Sequence, residues 1–174
     1  MRFISNLRSF AFMLAILATP SLPSAANAAT MRIVALGASN TAGKGVSVAW
    51  PELLQRMLRA RGYDAQVTNA GVSGNDVDQM LARLDSAAPD GTQLVILDKG
   101  GNNAAHGVSI HPAVAQIQAR LKARGIKLIV IPSMHAWANY QLQPGGLEIT
   151  EKGHAIVAAR LLPLVIAALG SGRH

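Results

Sequence analysis

The sequence predicts one three-layer α/β/α domain built on a mostly parallel sheet of four to five strands. Three observations predict it. Short apolar runs at Arg32–Gly37, Leu94–Leu97 and Ile126–Ile131 have the composition of strands buried on both faces. Segments with helical apolar spacing alternate with them, and such alternation makes a parallel sheet covered by helices on both sides. The segments after the strands are polar or glycine-rich, as befits the sheet edge where ligands bind in this architecture.

Taken in order, Arg32–Gly37 is the first strand. Trp50–Arg61 follows as a helix with an apolar stripe of Leu53, Leu54, Met57 and Leu58, stopped by Gly62. Asp64–Asn69 is a weaker strand leading into Ala70-Gly71-Val72-Ser73-Gly74, and Asp76–Leu84 is helical through Val77, Met80, Leu81 and Leu84. Leu94–Leu97 is a second buried strand running into Gly100-Gly101-Asn102-Asn103. Pro112 starts a helix carrying Val114, Ile117 and Leu121 and ending at Gly125. Ile126–Ile131 is the third clear buried strand, closed by Pro132. Thr150 N-caps a last helix reaching Leu169, with Gly170 past its end and Pro163 expected to kink or divide it.

The chain has 174 residues, half of them hydrophobic, enough for one domain with a buried core. Residues 1–28 read as a signal peptide. Arg2 and Arg8 give a positive start, Phe10–Ala18 is a short apolar run, and Ala26-Asn27-Ala28 has the small-residue spacing of a cleavage site. The run is shorter than the roughly 20 residues that span a bilayer, so no stable membrane span is expected after cleavage. The mature domain, 29–174, is then exported, to the periplasm or beyond, and cleavage takes the net charge from +7 to +5. The 16 Lys and Arg of the whole chain, against 9 Asp and Glu, are scattered and not interleaved with aromatics, which argues against nucleic-acid binding. Cysteine is absent, which excludes disulfides, thiolate metal sites and a cysteine nucleophile. No histidine pair has ligand spacing, so neither metal nor cofactor is expected. Ala38–Lys44 nearly spells a phosphate-binding loop, but it lacks the first glycine, and Gly45 stands where a Mg²⁺-binding hydroxyl would be needed.

Ser39 lies two residues beyond the first strand, at the ligand-bearing edge. Gly74 offers a backbone N–H and Asn102 a side-chain amide on neighbouring loops. A serine with two such donors around it is the arrangement that stabilises an oxyanion during acyl transfer.

These loops resemble those of the SGNH (GDSL-type) hydrolases. Ala35-Leu-Gly-Ala-Ser-Asn-Thr-Ala-Gly43 is similar to the family's first block, and Asn69-Ala-Gly-Val-Ser-Gly74 to the second. Gly100-Gly-Asn-Asn103 is similar to the third, and Gly145-Gly-Leu-Glu-Ile-Thr-Glu-Lys-Gly-His154 to the last. The resemblance runs from about Met31 to Leu169 and implies a flavodoxin-like sheet and a serine esterase site. It makes Ser39 the nucleophile, with the Ser39 and Gly74 N–H groups and the Asn102 amide as the oxyanion hole. Four motif positions depart from the family. Gly145 stands in place of the catalytic aspartate and Glu148 in place of the histidine; Ala38 and Asn103 replace two further aspartates. These departures point to a changed site.

A serine hydroxyl needs a base to take its proton. Glu148 would be a weak one, since a free glutamate has a pKa of about 4.3. His135, past the third clear strand, and His154, in the last helix, are the alternatives, with His106 and His111 as possible pocket-lining residues. Two functions follow. One is an extracytoplasmic hydrolase of an acyl ester, lysophospholipid or acetylated sugar. The other is a catalytically inactive relative that binds a lipid, glycan or protein. The substrate pocket is expected to be set mainly by Ser133–Gly146, which carries Trp137, Tyr140, Gln141 and Gln143. Oligomeric state has no signature in the sequence.

Overall fold

The computed structural model describes residues 30–105, 107 and 109–170. The expected signal peptide and His106 lie outside the described residues. Four strands are present: β1 (Met31–Gly37), β2 (Ala65–Gly71), β3 (Leu94–Asp98) and β4 (Lys127–Ile131). They form one sheet in the order β2-β1-β3-β4 with every pairing parallel. The helices are α1 (Ser39–Ala42), α2 (Trp50–Ala60), α3 (Val77–Ala82), α4 (Leu84–Ala87), α5 (Asn102–Ala105), α6 (His111–Ala123), α7 (Met134–Trp137) and α8 (Glu151–Leu169).

Side chains alternate across a strand, so β1 and β3 feed two cores. Ile33, Ala35, Leu94 and Ile96 pack under α2 and α8 with Trp50, Leu54, Leu58, Val157, Leu161 and Val165. Val34, Leu36, Val95 and Leu97 pack on the other face with Val77, Met80, Ile117 and Leu121. Helix–sheet–helix layering is the result, as the sequence predicts. Burial on both faces is why these strands read as continuous apolar runs rather than as alternating ones.

The starts of α3, α7 and α8 are capped by side chains. Asp76 and Gln79 form a reciprocal box at α3, and Thr150 accepts from the Gly153 N–H at α8. Pro163 does not divide α8, which runs unbroken over 19 residues. The proline sits on the exposed side, where water can satisfy the carbonyl that loses its partner. By length and composition α8 could cross a membrane, but His154, Val157, Ala158, Leu161, Leu162 and Val165 are buried in the domain. That is the placement of a core helix.

The sheet edge bearing the site is shaped by two close approaches. A methyl group on Gly37 would overlap the Thr41 hydroxyl and stand 2.8 Å from Thr41 Cβ and 3.0 Å from Asp98 Cβ. One on Gly71 would stand 2.7 Å from Ala42 Cα. Only glycine lets α1 settle onto the ends of β1 and β2, and α1 begins at Ser39. Gly37→Ala is therefore expected to destabilise the fold by about 1–3 kcal/mol through overpacking. Gly101→Ala, on the adjacent loop with open space around it, should stay within about 0.5 kcal/mol. Urea unfolding midpoints compare the two.

Candidate active site

A cavity of about 310 Å³ opens at the carboxyl edge of the sheet. Ser39, Gly74, Asn102, His135 and Glu148 all line it, together with Ala38, Asn40, Lys44 and Asp98. These five residues thus come together from the segments that follow the four strands. A smaller lobe of about 170 Å³ adjoins it, sharing Asn40, Gly100, Gly101 and His135 and adding Pro132, Ser133 and Met134.

Each side chain is placed by local structure. Ser39 is half-buried at the first position of α1. Asn102 Nδ2 donates to the Asn75 carbonyl at 2.8 Å, which ties its loop to the one carrying Gly74 and leaves the amide a second hydrogen. Asn103, next in sequence, turns away. Its Oδ1 accepts from the Val77 N–H at 2.8 Å and its Nδ2 donates to Asp78 at 3.3 Å, so it is buried as a cap on α3. The departure at 103 therefore belongs to helix capping and not to a changed site.

The segment 142–149 is a hairpin. Leu142 and Ile149 pair antiparallel, and the Gln143 N–H donates to the Glu148 carbonyl at 2.8 Å. At its tip the Gly146 N–H donates to the Gln143 carbonyl at 3.0 Å, and Gly145 has φ 100°. This is a type II turn, with Pro144 at the second position and the required glycine at the third. The aspartate that the family resemblance places at 145 is thus replaced by glycine, which this backbone accepts without strain.

Glu148 projects from the hairpin into the cavity. Its Oε1 lies 3.5 Å from Lys44 Nζ, while its Oε2 is buried without a hydrogen-bond partner. Asn40 joins the serine loop to the hairpin: its Oδ1 accepts from the Ile149 N–H at 2.8 Å and its Nδ2 donates to the Leu147 carbonyl at 3.3 Å. The same carbonyl lies 2.9 Å from His135 Nε2. Among the described residues, no hydrogen bond joins Ser39 Oγ to His135 or to Glu148.

Sequence reasoning missed two residues. Asp98 ends β3 and is 1% exposed, yet it borders the cavity. It accepts from Thr41 Oγ1 and from the Gly100 N–H, each at 3.0 Å. Burial pushes its carboxyl above the ordinary aspartate range, opposed by the Gly100 and Thr41 hydrogen bonds and by His135, while Glu148 adds to the rise. The available signal was an acid closing a fully apolar strand just before paired glycines. Asn40 is the other, and its role depends on a hairpin more than a hundred residues away.

The expected pocket loop contributes less than the sequence suggested. Only Ser133, Met134 and His135 of Ser133–Gly146 face the two lobes. Trp137 packs against the α2–α8 core and Tyr140 is 68% exposed. His111 lies on a separate surface hollow with Lys99 and Gln118. His154 is buried away from the cavity, where its Nδ1 accepts from the Trp50 N–H at 3.1 Å at the start of α2. It is a structural cap, not a base. No group of three or more potential metal-ligating side chains occurs among the described residues.

Comparison with known proteins adds four findings. The sequence model of the GDSL-like lipase/acylhydrolase family matches residues 35–161. The chain is 30% identical to esterase TesA of Pseudomonas aeruginosa over 162 residues, 88% of this chain and 79% of that protein. Its fold overlays a crystal structure of TesA with a TM-score of 0.71 at 21% identity, covering 80% of this chain and 99% of the other. It also overlays AlinE4, an SGNH-hydrolase family esterase, with a TM-score of 0.54 at 26% identity, covering 80% and 74%.

The buried imidazole of His154 predicts an acid-sensitive fold. Desolvation lowers its pKa from 6.5 to about 4, with Glu151 opposing the change. An unfolded chain takes up that proton more readily, so the contribution is intact above pH 6.5 and is lost as pH falls towards 4. The loss is on the order of 3 kcal/mol at about 1.4 kcal/mol per unit. Urea midpoints of wild type and His154→Gln at pH 7 and pH 4.5 should show a steeper acid loss in wild type. Equal losses would contradict this role.

Proposed function

The chain belongs to the GDSL-like lipase/acylhydrolase family, and within it we propose an exported serine ester hydrolase whose base is His135. The observation that supports this most is the convergence of Ser39, Gly74, Asn102 and His135 on one cavity. Ser39 Oγ attacks the ester carbonyl carbon as His135 takes the hydroxyl proton. The carbonyl oxygen, now an oxyanion, is held by the Ser39 and Gly74 N–H groups and by the free hydrogen of the Asn102 amide. Collapse expels the alcohol, which receives the proton from His135. Water then repeats the sequence on the acyl-serine and frees the acid.

His135 is favoured over Glu148 on chemical grounds. A carboxylate is a weak base, and one oxygen of Glu148 faces a lysine ammonium. Glu148 instead supplies negative charge near the imidazolium as it forms. The substrate is a short acyl group on a polar alcohol, such as an acetylated sugar. The larger lobe is bordered by Lys44, Ser73, Asp98, Asn102 and Glu148, with Leu147 as its one large apolar residue, and offers no long greasy groove for a lipid chain. The smaller lobe, with Pro132 and Met134, suits the acyl methyl group. Export follows from the signal-peptide reading of residues 1–28, with cleavage after Ala28.

The lack, among the described residues, of a hydrogen bond from Ser39 Oγ to His135 or Glu148 favours a second reading, in which the cavity binds a glycan or a protein segment without turnover. Catalytic hydrogen bonds tighten as substrate binds, so the two readings differ in reactivity. A fluorophosphonate probe decides between them. Under the hydrolase reading it labels wild type but not Ser39→Ala, and aryl acetates turn over faster than aryl laurates. His135→Gln then loses about 10⁴-fold or more in kcat, while Glu148→Gln loses far less. Absence of labelling across the stable pH range would leave only the binding module.

A further inference from the structure

The Leu147 carbonyl is a meeting point for two side chains from different loops. His135 Nε2 lies 2.9 Å from it and Asn40 Nδ2 donates to it at 3.3 Å. A carbonyl oxygen has no proton to give, so the ring nitrogen facing it must be the N–H. In the neutral ring the lone pair then resides on Nδ1. The hydrogen bond that selects the tautomer in a serine triad comes from an aspartate; here a backbone carbonyl occupies that role.

That carbonyl is itself held. The Asn40 amide grips both peptide units flanking Glu148, the Leu147 carbonyl through Nδ2 and the Ile149 N–H through Oδ1. Its backbone directly follows Ser39, so one residue couples the nucleophile loop to the group that orients the base. We infer that Asn40 is a positioning residue: by fixing the Leu147 carbonyl it holds His135 as the Nε2–H tautomer and keeps Nδ1 free to act as the base. Charges around the ring complete the arrangement. Asp98 on β3 and Glu148 on the hairpin both act on this end of the cavity, and Lys44 in turn offsets Glu148.

The consequence for turnover rests on the hydrolase reading; the tautomer does not. Long-range ¹H–¹⁵N spectra of the resting mature chain at pH 8 read it directly. In wild type, His135 should show a protonated Nε2 and an unprotonated Nδ1. Asn40→Ala should give a mixture of tautomers and, with aryl acetates, a kcat lower by about 10–100-fold at little-changed KM. Asn40→Asp keeps the acceptor for Ile149 but loses the donor to Leu147, so it should behave like Asn40→Ala in both measurements. It also covers the case in which the alanine variant fails to fold. A wild-type ring protonated on Nδ1, or either variant keeping the wild-type tautomer, would overturn the inference. Failure of the hydrolase reading shows separately, as absent fluorophosphonate labelling of a wild type whose tautomer is nonetheless fixed.

Discussion

The site depends on the absence of a side chain at two strand ends. Because Gly37 and Gly71 carry no Cβ, α1 lies directly on the edge of the sheet, close enough for the Thr41 hydroxyl to reach the Asp98 carboxyl at 3.0 Å. That contact fixes the first turn of α1, and Ser39 is its first residue. Interiors are packed too densely for such a turn to shift without disturbing both cores. The position of Ser39 is therefore a consequence of packing, whatever chemistry its hydroxyl performs.

The second half of the site is built by backbone conformation. A type II turn at Pro144-Gly145 makes 142–149 a tight hairpin, and the hairpin presents the Leu147 carbonyl and the Glu148 side chain to the cavity. Where the family resemblance places an aspartate and a histidine, this chain has a turn glycine and a carboxylate paired with a lysine. The two changes are linked. A turn requiring φ near 100° excludes an unstrained aspartate at 145, and without it a histidine at 148 would lose its orienting acid. Under the proposed hydrolase reading the base is His135, whose Nε2 lies 2.9 Å from a backbone carbonyl of the same hairpin.

How much of this was legible in the sequence follows from what each feature depends on. The strands and the layer order were readable because β1, β3 and β4 are short apolar runs. The loops forming the cavity were readable because a parallel sheet gathers its strand ends along one edge. The expected division of the last helix at Pro163 does not occur, because the cost of a proline depends on whether the carbonyl it leaves unpaired can reach water, and that became known only with packing. Asn103 was grouped with the altered site, although its contacts are all with the start of α3. Asp98 and Asn40 each depend on partners remote in sequence, Thr41 for one and Leu147 and Ile149 for the other, although Asp98 also carried the local signal of an acid closing an apolar strand. His154, by contrast, is an ionisable residue used only for its lone pair, which burial makes possible by keeping the ring neutral.

The most direct test of the central claim is a crystal structure of residues 29–174 reacted with a small alkyl phosphonate. The account predicts a covalent bond from phosphorus to Ser39 Oγ, with one phosphonyl oxygen within about 3 Å of both the Gly74 nitrogen and Asn102 Nδ2. Phosphonate attached to another residue, or an oxygen pointing away from both donors, would contradict it.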